Sequence, residues 1–262
     1  MKRLIALLLA LLIVTGVSSG IAEGWECPNC GKDGITSQFC PDCGTKKPST
    51  PTIVLSTDYN VGDNVYFGTY EQDNNDNNGT EKIRWIVIAV DGDKLFLLSK
   101  KGLDRHRFND RSNGEVWSGS ELRNWLNSSF LSDAFTYKEA EAIQTTSVVD
   151  DKTQTNPKWN NSNRFSGTTK DKIFLLSYQE MLDLVSKQDR LCEPTIYLRH
   201  KKEVFVEQHG GHPCCWYWLR TSAYRNNAGV VDVDGDFETC YISHEYGVVR
   251  PALWVEASAV TK

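Results

Sequence analysis

Trp216-Tyr217-Trp218-Leu219-Arg220-Thr221-Ser222, then Val230-Val231-Asp232-Val233-Asp234-Gly235-Asp236-Phe237-Glu238, then Gly247-Val248-Val249-Arg250-Pro251-Ala252-Leu253-Trp254: these three segments near the C-terminus decide the fold class. The middle one has an Asp-Gly pair between alternating apolar residues, the strongest short-range hairpin signal. The block reads as three or four short antiparallel strands with an arginine at each end.

Upstream, three capping-box patterns mark helix starts: Ser118-x-x-Glu121, Thr136-x-x-Glu139 and Ser177-x-x-Glu180. Each precedes apolar residues at helical spacing, Leu122, Trp125 and Leu126 in the first case and Met181, Leu182 and Val185 in the last. Residues 150–172 are polar and read as a long loop. Ile173-Phe174-Leu175-Leu176 reads as a short buried strand entering the third helix, and Glu203-Val204-Phe205-Val206 as a short strand or an inserted loop. Further back, Val65–Tyr70, Ile83–Val90 and Lys94–Ser99 form a β-meander turning at Asp91-Gly92. The expected class is therefore α+β, a mostly antiparallel sheet with short helices packed on it, over residues 58–257.

The front of the chain has a different character. Met1-Lys2-Arg3, an apolar run from Leu4 to Val14 and a small-residue exit at Gly20-Ile21-Ala22 predict a secretory signal peptide over 1–22. The apolar run is short for a bilayer span. The expected address is secreted or cell-surface, with membrane attachment only through an uncleaved signal segment. Residues 25–46 hold Cys27-Pro28-Asn29-Cys30-Gly31 and Cys40-Pro41-Asp42-Cys43-Gly44. Two C-x-x-C-G turns this close have the spacing of a zinc ribbon, with Cys27, Cys30, Cys40 and Cys43 as a closed structural ligand set. Disulfides are the competing state in an oxidising compartment. Residues 47–57, with Pro48 and Pro51, read as a semi-rigid linker.

The formal net charge is −5, and loss of Lys2 and Arg3 takes Lys+Arg from 29 to 27 against 34 acids, giving −7. A chain this acidic is not expected to bind nucleic acid, whose phosphates require a basic face. The loop Asp73-Asn74-Asn75-Asp76-Asn77-Asn78-Gly79 has calcium-loop composition but lacks the closing bidentate acid, since the twelfth position from Asn74 is Trp85. A solvated hairpin loop fits it better. His106 lies in a charged loop with no Ser or Cys nucleophile in a recognisable turn.

Two sets of residues are candidates for function. Trp216, Trp218, Arg220, Arg250 and Trp254 are candidates for ligand contact, because Arg grips carboxylate or phosphate bidentately and aromatic faces stack on sugars. The alternative for the arginines is a buried network with acids such as Asp232 or Asp234. His209, His212, Cys214 and Cys215 form the other set, a metal- or thiol-dependent centre. Three states are open to Cys192, Cys214, Cys215 and Cys240: disulfides, free buried thiols, or a metal or redox site.

Trp117-Ser118-Gly119-Ser120-Glu121-Leu122-Arg123-Asn124-Trp125-Leu126-Asn127 resembles a W-x-x-S-x-L-R-x-W-L-N motif. The Trp216–Ser222 and Gly247–Trp254 segments resemble W-L-R-S and G-V-R-P-A-L-W motifs of the same family. That family is a bacterial domain of unknown function, frequent in exported and surface proteins of gut Firmicutes and often found beside zinc ribbons. The resemblance runs from about Asp58 to Glu256 and implies address and architecture, with no activity. More remotely, the closing pattern is similar to C-type-lectin-like folds of the formylglycine-generating-enzyme type. Cys214 and Cys215 do not align with the reactive pair of those enzymes. The resulting expectation is an exported, non-catalytic module that recognises a glycan or a protein at the cell surface and carries structural zinc.

Overall fold

A computed structural model of the chain describes residues 24, 26–27, 29–37, 39–45, 59–110, 116–159, 164–224 and 226–262. The expected signal segment and linker lie outside these residues. Among the described residues, no helix is long and apolar enough to cross a membrane. The chain divides into two units, Met1–Ile53 and Val54–Lys262.

The larger unit is built on two β-sheets. In the first, the order is Asn64–Tyr70, Glu81–Asp91, Lys94–Ser99 and Ala252–Glu256, all antiparallel. In the second, it is Phe237–Tyr241, Asn227–Val231, Tyr217–Ser222, Val248–Val249 and Asp104–Arg105. The Asp91-Gly92 and Asp234-Gly235 turns fall where expected, and each joins antiparallel neighbours. Short helices and curled antiparallel sheets agree with the α+β class.

The closing segment departs from expectation. It is divided between the sheets: Val248 pairs in parallel with Tyr217, whereas Ala252–Glu256 pairs antiparallel with Lys94–Ser99. The chain changes sheet at Arg250-Pro251. Proline has no N–H to give to a ladder, and its carbonyl still accepts from Ser99 N at 2.9 Å.

Two capping boxes form as expected, at Thr136/Glu139 for Tyr137–Ala142 and at Ser177/Glu180 for Tyr178–Leu184. The first box does not. Ser118 lies in a tight turn, Trp117–Gly119, and Ser120 caps Glu121–Trp125 through Arg123 N at 3.2 Å. Residues 150–172 are not a simple loop either, because Gly167–Asp171 pairs with Thr146–Asp150. That pair explains the W-x-x-S-x-L-R-x-W-L-N motif. Buried Asp171 accepts from Trp117 Nε1 at 3.0 Å, Arg123 Nε at 2.6 Å and Thr169 Oγ1 at 2.6 Å. Asn127 Oδ1 accepts from the backbone N–H of Lys172 and of Ile173. The motif is a polar clamp that fixes a helix to the segment leading into Ile173–Leu176, all four of which are buried.

One close approach sets the geometry beneath the candidate site. Trp218 Nε1 donates to His106 O at 2.9 Å, and a Cβ on Gly247 would stand 1.8 Å from that nitrogen. Gly247→Ala must therefore displace the indole or the backbone beside it. The expected loss is about 1–3 kcal/mol, as for other overpacked positions, read as a lower urea midpoint with altered tryptophan emission. An unchanged midpoint and spectrum would show that the contact is not tight.

Candidate functional site

The smaller unit contains a four-cysteine cluster. Gly31 N donates to Cys27 O and Gly44 N to Cys40 O, each at 2.9 Å, and both glycines have φ of 72°. A left-handed residue at that point is what glycine supplies without strain. The two C-x-x-C-G turns are thus near copies, each presenting a sulfur pair. The four Sγ atoms lie within 4.8 Å of one another, with Cys27–Cys43, Cys30–Cys40 and Cys30–Cys43 at 3.5 Å. Tetrahedral ligands about 2.3 Å from one ion sit about 3.8 Å apart, so the set fits a metal ion.

Their titration shows why such a set favours a cation. Cys43 is brought down to about 6, first by the Thr45 hydroxyl and then by the Thr45 N–H. For Cys30 the Lys32 N–H favours the thiolate, but contacts with the Cys43 and Cys40 sulfurs outweigh it and push the group up to about 12. Adjacent thiolates repel, and a divalent ion removes that repulsion. Glu71, Asp73 and Glu81 also approach one another. Their carboxylates accept from loop N–H groups, Glu81 Oε2 from Gln72 N and Asp73 N and Asp73 Oδ1 from Asn75 N. They order a solvated loop.

In the larger unit, the five ligand-contact candidates part company. Trp218, Arg220 and Arg250 are at most 1% exposed and face the interior. Arg220 makes a bidentate pair with Glu180 and donates to Val149 O and Leu175 O. Its acid is therefore Glu180, and neither Asp232 nor Asp234. Arg250 Nε donates to Ser99 O, and its Nη1 to Asp189 O and the Tyr217 hydroxyl. Buried in this way, neither arginine reaches an external ligand. Trp254 is half-buried in the other sheet, stacked on Phe96 at 4.8 Å.

Trp216, by contrast, opens onto a cavity. It lines a groove of about 490 Å³ with Glu203, Phe205, His244 and Tyr246. Its ring meets Trp218 edge-on at 5.1 Å and His244 at 5.3 Å, so the buried indole holds the half-exposed one upright. The Arg105 guanidinium lies over the Tyr246 ring at 4.9 Å. Arg105 also lines a second, shallower cavity of about 310 Å³ with His106, Arg107, Glu121 and Glu245. Arg107 is held by Asp110 and Glu245, and His106 is stacked on Trp125 at 5.1 Å. The groove is an aromatic platform with polar groups at its edge, the usual make-up of a small-ligand site.

Phe205, His244, Tyr246 and Arg105 were not foreseen as site residues. The local signal was slight: an alternating His244-x-Tyr246 beside Gly247, and Phe205 in a segment read as a short strand or an inserted loop, of which the loop is what forms. Tyr217, between Trp216 and Trp218, is buried.

The histidine and cysteine set does not converge. His209 and His212 face each other across a hairpin of Glu207–His209 and His212–Cys214, and His212 Nδ1 lies 3.1 Å from Glu193. Among the described residues, the sets that gather as metal ligands are the four front cysteines and the Glu71 trio. Cys192, Cys214, Cys215 and Cys240 are free thiols, one of the three states open to them.

No curated protein and no solved structure matches the chain. One family model does, over a span that opens at the Asp91-Gly92 turn and takes in the Asp171 clamp, the buried arginines and the Trp216 groove. Residues 92–257 match the domain of unknown function DUF6273, and with more than half of its length in that match the chain belongs to the DUF6273 family.

Proposed function

We propose that the chain is an exported, non-catalytic recognition module whose larger unit binds an extracellular glycan in the Trp216 groove, while Cys27, Cys30, Cys40 and Cys43 hold a structural zinc ion. The observation that carries the reading is the segregation of aromatics. Trp85, Trp117 and Trp218 are spent on the core, whereas Phe205, Trp216 and Tyr246 stay partly exposed around one concavity. Exposed aromatic faces beside His244, Glu203 and Arg105 suit a ring with one apolar face and a polar edge. A C-type-lectin-like topology belongs to the same proposal. Its support is the adjacency of the Arg220 strand and the segment leading to Arg250. Export rests on the N-terminal pattern and is tested by N-terminal sequencing of protein recovered outside the cell.

A glycan array probed with the full chain tests the binding reading. Bound sugars should quench tryptophan emission, and Trp216→Ala should weaken binding by about 30-fold or more, the loss typical of a central aromatic anchor. The variant's melting transition serves as the folding control. An array without binders, with Trp216-dependent binding of a surface protein instead, would move the reading to a protein ligand. Binding indifferent to Trp216→Ala would remove the groove from it.

A further inference from the structure

We propose that Cys192 and Cys215 form a peroxide-reactive dithiol, in which a small hydroperoxide admitted past Cys214 oxidises Cys192 and Cys215 closes a disulfide. The site is independent of the Trp216 groove and of the front cysteine cluster.

The two residues are brought together by backbone geometry. Cys215 N donates to Cys192 O at 2.9 Å, and the Cys215 thiol lies 3.3 Å from the same oxygen. Backbones joined in this way have the spacing a disulfide requires. Gly102 runs alongside, paired in parallel with Pro194 two residues after Cys192. A Cβ at Gly102 would stand 2.4 Å from Val248 Cγ1 and 3.5 Å from Cys215 Sγ, so a bare residue lets the strand pass.

The Arg250 guanidinium supplies the second observation. It is 1% exposed, and its Nη2 has no hydrogen-bond partner among the described residues. A buried N–H on a cation without an acceptor is costly. Both sulfurs lie in its field. Burial opposes ionisation of Cys192, but the Cys215 thiol, Arg250 and the Gly102 N–H together hold it below the usual thiol range. Burial pushes Cys215 well above that range. The two shifts run in opposite directions, the sense expected of an attacking and a resolving cysteine.

Access selects the oxidant. Cys192 is 1% exposed and Cys215 is fully buried. Their neighbour Cys214 walls a cavity of about 240 Å³ with Arg84, Lys100, Glu193 and His212. A bulky disulfide cannot reach a sulfur so covered, so the oxidant proposed is a small hydroperoxide. With hydrogen peroxide as the hydroperoxide, the Cys192 thiolate attacks one peroxide oxygen: an S–O bond forms, the O–O bond breaks, and the departing hydroxide takes a proton from solvent to become water. Cys215 sulfur, losing its proton, then attacks Cys192 sulfur: the S–S bond forms, the S–O bond breaks, and a second water leaves. Two electrons pass from the sulfurs to the peroxide, and the Arg250 charge favours the negative charge that develops on sulfur.

The test uses the reduced full-length chain treated with hydrogen peroxide, then alkylated, digested and fragmented in a mass spectrometer. Alkylatable Cys192 should fall by about tenfold or more and reappear after dithiothreitol, as for a reversible disulfide. Fragmentation should place the link on Cys215. Cys214→Ser should keep that link, and Cys215→Ser should leave a sulfenic acid on Cys192 that dimedone traps. A Cys192 that stays alkylatable while other thiols oxidise, or a link to Cys214 in the wild-type chain, overturns the proposal. The wild-type fragmentation decides the matter even if Cys215→Ser does not fold.

Discussion

Arg220→Met lowers the stability of the larger unit by about 3–5 kcal/mol, the range for breaking a buried ion pair by removing one partner. The side chain is fully buried and engages three elements at once. Its terminal nitrogens grip Glu180 at the start of the Tyr178–Leu184 helix, while Val149 O and Leu175 O accept from its remaining N–H groups. Removing it strands both carbonyls and a carboxylate. The Glu180 side chain is 28% exposed, so water recovers part of the carboxylate's loss and the lower half of that range is expected. Glu180→Gln keeps an acceptor for Ser177 N, now at 3.0 Å, and for one Arg220 nitrogen. It should cost about 1–3 kcal/mol. Urea midpoints of the two variants and their double mutant measure the coupling. If Arg220→Met leaves the midpoint in place but abolishes glycan binding, Arg220 contacts ligand and the structural assignment fails.

What was legible beforehand follows from the range of the physics involved. Asp234-Gly235 and the Thr136 and Ser177 boxes were readable because a turn or a cap is decided by residues within a few positions of each other. Ser118 misled because Ser120 offers the same hydroxyl two residues on, and packing of Trp117 on the core placed the tight turn between them. The Thr146–Asp150 and Gly167–Asp171 pair escaped notice because its apolar content is slight and its stability rests on Asp171 receiving distant donors. For Arg220 the buried network was the alternative to ligand contact, and the acids named for it, Asp232 and Asp234, are not its partners. Glu180 already had a complete local role as the third residue of a capping box, and nothing in a local pattern shows that its carboxylate serves two masters. The Trp216 groove assembles residues 203, 205, 216, 244 and 246 with Arg105 over Tyr246, and the pairing of Val248–Val249 with both Tyr217 and Asp104–Arg105, which no local pattern shows, sets several of those segments side by side.

Stripping the metal from the front unit should unfold it completely while the larger unit melts as before. The described residues of that unit contain a core of only Cys27, Ile35 and Cys40. Burying three side chains supplies a few kcal/mol at about 1.5–3 kcal/mol each. Ordering the backbone costs about 1–2 kcal/mol per residue, so apolar burial cannot hold the segment. A structural zinc site contributes about 10–16 kcal/mol in comparable small modules, enough to reverse the balance. The wild-type chain should therefore carry one zinc ion by elemental analysis. Cys40→Ser removes a buried ligand and leaves three, and its zinc affinity should fall by about 100-fold or more, since fewer thiolates share the ion's charge. Amide resonances of residues 29–37 and 39–45 should then collapse toward random-coil positions, as they should in wild type with excess chelator. The thermal transition of the larger unit should stay within a degree or so, because its core shares no residue with the front one. A metal-free wild type that keeps its dispersed resonances would show that the cysteines hold the fold by some other means. Loss of the large transition in Cys40→Ser would show that the two cores fold as one.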